Sequence, residues 1–125
     1  MIVEVSEDGF SAAAEVVGGV LTASVSGNAD LMVRMALEEF LRALHAEARH
    51  RRLAGVTVDL RTLAFMNSSC LKALVSWVTQ IQDLPRDERY RITFLSSPAL
   101  RWQRHSLARL CLLGDDLIQV ETLGA

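Results

Sequence analysis

The sequence predicts an α/β domain: a mixed β-sheet opened by an N-terminal hairpin, with strands and helices alternating behind it and the helices packed on the sheet. Three observations carry this. Short stretches in which apolar residues alternate with period two are separated by longer ones in which they recur every three or four residues. A Gly-Gly pair, Gly18 and Gly19, splits the first period-two region where a tight hairpin needs it. The 125 residues suffice for one core and are few for two, and no repeat or linker divides them, so a single domain over 1–125 is expected.

Each element has its own reason. Ile2, Val3 and Val5 open an apolar stretch, Asp8 and Gly9 offer a turn, and residues 12–17 supply the next strand. Over residues 20–26, Leu21, Ala23 and Val25 alternate with Thr22, Ser24 and Ser26, giving a hairpin with one half-polar face. Past Gly27, Asn28 or Asp30 caps a helix whose Val33, Leu37, Phe40, Leu41, Leu44 and Ala48 share one side, opposite Arg34, Glu38, Arg42 and Glu47.

Val56, Val58 and Leu60 form a buried strand ending over residues 59–61, and residues 63–66 bridge to Asn67, Ser68 and Ser69, a helix-start signal. The helix that follows bears two apolar stripes: Leu71, Leu74, Val75 and Val78 on one, Cys70, Ala73, Trp77 and Ile81 on the other. Only a narrow strip is polar, so this helix is either deeply buried or covered by a partner. Residues 85–89 form a charged loop, and Ile92, Phe94 and Leu95 a strand. Ser97 and Pro98 suit the cap and first turn of a third helix that Gly114 stops, and Leu117, Ile118 and Val120 make the last strand. Strands that alternate with helices pair in parallel through right-handed crossovers.

Composition narrows the function. A net charge of -2 offers polyanions no general attraction, so no nucleic-acid partner is expected. No apolar run reaches the roughly 18 residues of a membrane span, and the N-terminal residues are acidic where a signal peptide is basic; a cytoplasmic protein is expected. Cys70 and Cys111 form no CxxC pair and read as buried small hydrophobes, not as a disulfide framework or zinc site.

No metal or cofactor is expected. His45 and His50, with Glu47 between them, lie about 140° apart around a helix, which suits a solvated face better than a metal. Asp59, Asp115 and Asp116 accompany no glycine-rich phosphate loop. Arg101, Arg104, His105 and Arg109 share a helical face, read as solvent-facing in preference to a site for an acidic partner or a phosphate. Ser68, Ser69 and Cys70 lack a Gly-x-Ser-x-Gly elbow, and the histidines lie on other elements, so no enzyme is expected; a small hydrolase would need one of those histidines brought within hydrogen-bond reach. Of the two tryptophans, both more often core than contact, Trp77 shares a helix with Ser68 and is the better contact candidate than Trp102.

Residues 56–77 read VTVDLRTLAFMNSSCLKALVSW: a strand ending in Asp-Leu, an apolar bridge, then a serine-rich helix start. This resembles the signature of the STAS domain, the fold of bacterial anti-sigma factor antagonists. Phe65, Met66, Asn67, Ser68, Ser69, Cys70 and Leu71 are similar to the Phe-Met-Asp-Ser-Ser-Gly-Leu of sporulation-type antagonists, departing at Asn67 and Cys70. Asn67 to Ala73 is similar to the Asn-Thr-Ser-Ser, apolar, Lys, Ala run of a biofilm-regulating branch. Ser97, Pro98 and Ala99 resemble the start of the family's last long helix.

The resemblance implies a phosphorylation-switched binding module, an anti-sigma factor antagonist or similar partner-switching regulator. Its phosphoacceptor would be Ser68, with Ser69 the fallback, and its partner contacts Asn67, Ser69, Cys70, Leu71, Lys72 and Trp77. The implied partners are a serine protein kinase that doubles as anti-sigma factor, of the histidine-kinase-like ATPase type, and a metal-dependent phosphatase. In the second branch the downstream effector is a cyclase. The alternative is a non-switching STAS scaffold or transporter-associated subunit in which Ser68 only caps a helix.

Overall fold

The computed structural model describes residues 2–7, 9–114 and 116–123. The strands are β1 (Ile2–Glu7), β2 (Phe10–Val17), β3 (Val20–Ala29), β4 (Gly55–Met66), β5 (Arg91–Ser96) and β6 (Ile118–Thr122). The helices are α1 (Arg34–His50), α2 (Ser68–Gln82) and α3 (Arg101–Leu113), with single 3-10 turns at Leu31–Val33 and Arg86–Glu88. One sheet runs in the order β1-β2-β3-β4-β5-β6, antiparallel from β1 to β3 and parallel from β3 to β6. The mixed sheet has the predicted form, and β1 widens the hairpin into a three-stranded meander. Gly18 and Gly19 both take positive φ at its second turn.

Parallel strands laid down in one direction through right-handed crossovers put their helices on one face. Burial agrees. Phe10, Ala12, Leu21, Ala23, Val56, Val58, Ile92 and Phe94 enter a single core with Leu37, Phe40 and Leu44 of α1 and Leu74, Trp77 and Ile81 of α2. Their alternating neighbours Ser11, Ala13 and Ser24 are exposed, and Thr22, Thr57 and Thr93 half-buried, so the second face stays open to water. Helix α2 touches α1 on one flank and α3 on the other, which accounts for its two apolar stripes by burial, without a partner. No helix among the described residues is long and apolar enough to cross a membrane.

Three local expectations change, and the choice of cap for α1 is settled. Strand β4 does not stop near Arg61. It leaves β5 at Asp59 but keeps β3 as a neighbour through two register shifts, pairing Leu63 with Gly27 and Met66 with Ala29, so the bridge of residues 63–66 is strand. The α1 entry is capped by Asp30, whose carboxylate accepts from Met32 N at 3.0 Å, while Asn28 remains in β3. Helix α3 starts at Arg101 rather than at Pro98, because Ser97 holds a separate turn: its hydroxyl accepts from Ala99 N at 3.3 Å and its carbonyl from Leu100 N at 3.2 Å. Cys111 is half-buried, whereas Cys70 is fully buried. The readings of Asp8 and Asp115 fall outside the described residues.

Candidate functional site

Ala29 and Met66 pair at the C-terminal end of β3 and β4, so the turn that enters α1 and the turn that enters α2 leave the sheet side by side. Asn67 joins them. Its N–H donates to Ala29 O at 2.9 Å, its side-chain oxygen accepts from Cys70 N at 2.9 Å, and its carbonyl accepts from Leu71 N at 3.0 Å. Asn67 is thus the N-cap of α2, and the N–H groups of Ser68 and Ser69 are left without intrahelical acceptors. Ser68 is exposed at the first helical position and Ser69 half-buried at the second. The cap is made by Asn67 alone, and the Ser68 hydroxyl has no hydrogen-bond partner among the described residues.

Lys72, exposed one turn further on, stands over the same helical face as Ser68, and Leu71, at the start of the first apolar stripe, is half-buried. From Lys72 a shallow groove of about 230 Å³ continues between α1 and α2, rimmed by Arg34, Glu38 and Arg42. Arg34 Nε and Glu38 Oε1 pair across one helical turn at 2.7 Å.

Two residues expected at the contact surface are not there. Cys70 is fully buried, its thiol 3.4 Å from the carbonyl of Asp30, and Trp77 is 1% exposed with its indole N–H donating to the Tyr90 hydroxyl at 2.7 Å. Both face α1 and the sheet because the third position of the helix and every three to four residues after it must fill the core. Burial, and after it the nearby Asp30 carboxylate, push the Cys70 thiol above its ordinary pKa, so it stays protonated and is a poor nucleophile. The histidines are likewise dispersed. His45 turns inward to Tyr90, with Nδ1 2.6 Å from the hydroxyl, while His50 and His105 are exposed. No group of three or more His, Cys, Asp or Glu among the described residues is placed to hold a metal ion. Arg101, Arg104, His105 and Arg109 do share an exposed face of α3, and Trp102 is half-buried, its indole N–H on the carbonyl of Leu63 at 3.1 Å.

What sequence reasoning missed is the exposed apolar side chains near the two turns that meet at Asn67. Leu31 (62% exposed), Met32 (74%) and Met35 (75%) crowd the α1 entry, and Phe65 is exposed at the end of β4. The signal was present: Met35 falls off the apolar stripe of α1, and Leu31 and Met32 lie between a cap and the first buried position. Large apolar side chains gathered at one place on a surface mark contact sites, and methionine adapts to varied partners.

No family model matches the chain, and no curated protein matches it. Among solved structures it is similar to the crystal structure of an anti-sigma factor antagonist from Mycobacterium paratuberculosis, with 21% sequence identity and a TM-score of 0.61 over 90% of this chain and 81% of that one. The strand order, the single helical layer and this likeness agree: the chain has the fold of an anti-sigma factor antagonist.

Proposed function

We propose that this protein is a non-catalytic partner-switching regulator, an anti-sigma factor antagonist or a close functional equivalent, whose docking surface surrounds Ser68 and is switched by phosphorylation there. The observation that supports it most is the exposed Ser68 hydroxyl, without a hydrogen-bond partner among the described residues, on one of two adjoining turns that also expose Leu31, Met32 and Phe65. Asn67, Ser69, Leu71 and Lys72 complete the contact surface, and Ser69 is the fallback phosphoacceptor.

The physics of the switch is local. A phosphate on Ser68 adds about 1.5 to 2 negative charges at the positive end of α2, where the N–H groups of Ser68 and Ser69 and the Lys72 ammonium favour it, so the helix stays folded. The same charge sits within the proposed contact surface. A partner that covers it without supplying a cation bears the desolvation cost and leaves. A serine kinase of the histidine-kinase-like ATPase type, acting as the anti-sigma factor, and a metal-dependent phosphatase are the opposing enzymes; a cyclase is the alternative effector.

The test is capture of partners from lysate with wild type, Ser68→Ala and Ser68→Glu, with intact mass spectrometry of the wild-type protein. The expected result is one phosphate on Ser68 and a partner retained by Ser68→Ala but lost by Ser68→Glu. Absence of phosphate with the same partners on all three forms would replace the switch by a constitutive scaffold or transporter-associated subunit.

A further inference from the structure

We propose that the β6 edge, with the groove beside it, binds an extended acidic segment of another protein by strand addition. The ladder between β5 and β6 begins with Ile92 N–H donating to Leu117 O at 2.8 Å and ends with Leu123 N–H donating to Ser96 O at 2.9 Å. Odd-numbered residues of β6 therefore turn their backbone groups toward β5. By parity the N–H and C=O of Val120 and Thr122 point away from the sheet, where they meet no partner among the described residues. Edge strands are usually guarded by proline, lysine or a bulge, and β6, IQVET, has none of these.

The side chains of Val120 and Thr122 form one wall of a groove of about 270 Å³, and Leu107, Ala108 and Cys111 of α3 form the other. An added strand would place every second side chain over this apolar floor. Charge selects the kind of strand. Helix α3 carries Arg101, Arg104, His105 and Arg109 and no acidic residue, and none of these arginines forms an ion pair among the described residues. Arg104 lines the groove itself and stands with Arg101 and His105 in an adjoining hollow. Glu121, the one acid on β6, falls by alternation on the opposite face. A basic helical face alone would be a solvated one; here it coincides with an open backbone edge and an apolar trench. The occupant it fits carries on its groove-facing side, at every second residue, apolar side chains over the trench and then Asp or Glu where Arg104 lines it, with small polar residues between. The site lies beyond β5 from the strand that leads to Ser68 and does not rest on the switch.

The probe is a fluorescein-labelled peptide, Thr-Val-Ser-Val-Thr-Glu-Ser-Asp, whose apolar and acidic residues share one face, titrated by anisotropy and mapped by amide chemical shifts on the whole chain. Shifts are expected over residues 117–123 and on α3, with affinity falling about tenfold in the double variant Arg101→Glu, Arg104→Glu. A comparable loss is expected when alternate peptide nitrogens of the probe are methylated, which blocks pairing and alters nothing in the protein. Thr122→Pro removes one outward N–H without touching the β5 ladder and should weaken binding alike, whereas Thr122→Ala should not. The proposal is overturned by shifts confined elsewhere, by unchanged affinity of the methylated peptide, by equal binding of a peptide with lysine at the acidic positions, by edge shifts that come from self-association alone, or by no binding up to about 1 mM.

Discussion

The side-chain amide of Gln103 replaces a rung of the β-ladder beside Leu60. Arg91 N–H donates to Ala54 O, so even-numbered residues of β4 face β5, and continuing the pattern would pair Ser97 N–H with Leu60 O. The strands diverge after Asp59, and Gln103 fills the gap, its Nε2 donating to Leu60 O at 2.5 Å and its Oε1 accepting from Ser97 N at 2.8 Å. A side chain from α3 thus ties together the two strands that separate below the α2 start, and Gln103 is 1% exposed while doing so.

Gln103→Leu keeps the volume but strands a buried carbonyl and a buried N–H, and should cost about 1–3 kcal/mol of unfolding free energy. Gln103→Glu should cost at least as much, since a carboxylate offers Leu60 O no donor. Urea denaturation measures both. A loss under roughly 0.5 kcal/mol for each would show that water replaces the amide.

Tyr90 links His45 to Trp77. The indole N–H only donates, so the Tyr90 oxygen accepts it at 2.7 Å and sends its own proton to His45 Nδ1 at 2.6 Å, which requires a neutral ring. Burial first, and the neighbouring Arg49 second, hold His45 below the ordinary imidazole pKa, while burial holds the Tyr90 phenol well above its own. With the folded value below the unfolded one, the unfolded chain takes up the proton first. Stability is therefore complete above about pH 6.5 and declines as pH falls through the window below it. Subtracting the pH profile of His45→Gln from that of wild type should leave this slope, and a flat difference would remove the assignment. Tyr90→Phe leaves the indole N–H unpaired and should cost about 1–3 kcal/mol.

Asn67→Ala removes the cap of α2 and should cost about 1 kcal/mol, whereas Asn67→Asp keeps an acceptor for Cys70 N and adds a favourable charge at the helix start. Chemical denaturation should therefore rank Asp at or above Asn, and both above Ala. The same Asn67→Asp change places a carboxylate beside Ser68, so a phosphate there should be disfavoured even though the fold is not.

Gly27→Ala should be among the most damaging single substitutions. Gly27 has φ +93°, and a Cβ there would overlap the carbonyl oxygen of Gly9, which accepts from Asn28 N at 3.2 Å. Left-handed strain and the clash together should cost on the order of 3 kcal/mol, read as a lowered melting temperature.

The sequence by itself determined the element order, the mixed sheet and the start of α2, because period, glycine placement and caps are local properties that the chain carries wherever it folds. Ser68 was legible as an exposed helix-start hydroxyl for the same reason. The tertiary structure alone decided what lies next to it. Ala29 and Met66 come side by side only when β3 and β4 pair, and that pairing brings the turn that enters α1 beside the turn that enters α2. Trp77 and Cys70 went to the core because α2 lies between α1 and α3, which no single-helix pattern can tell from a partner-covered face. The length of β4, the role of Gln103 and the open backbone of β6 depend on where neighbouring strands part and end. Hydrogen bonds between residues far apart in the chain settle those points, and local propensity does not encode them.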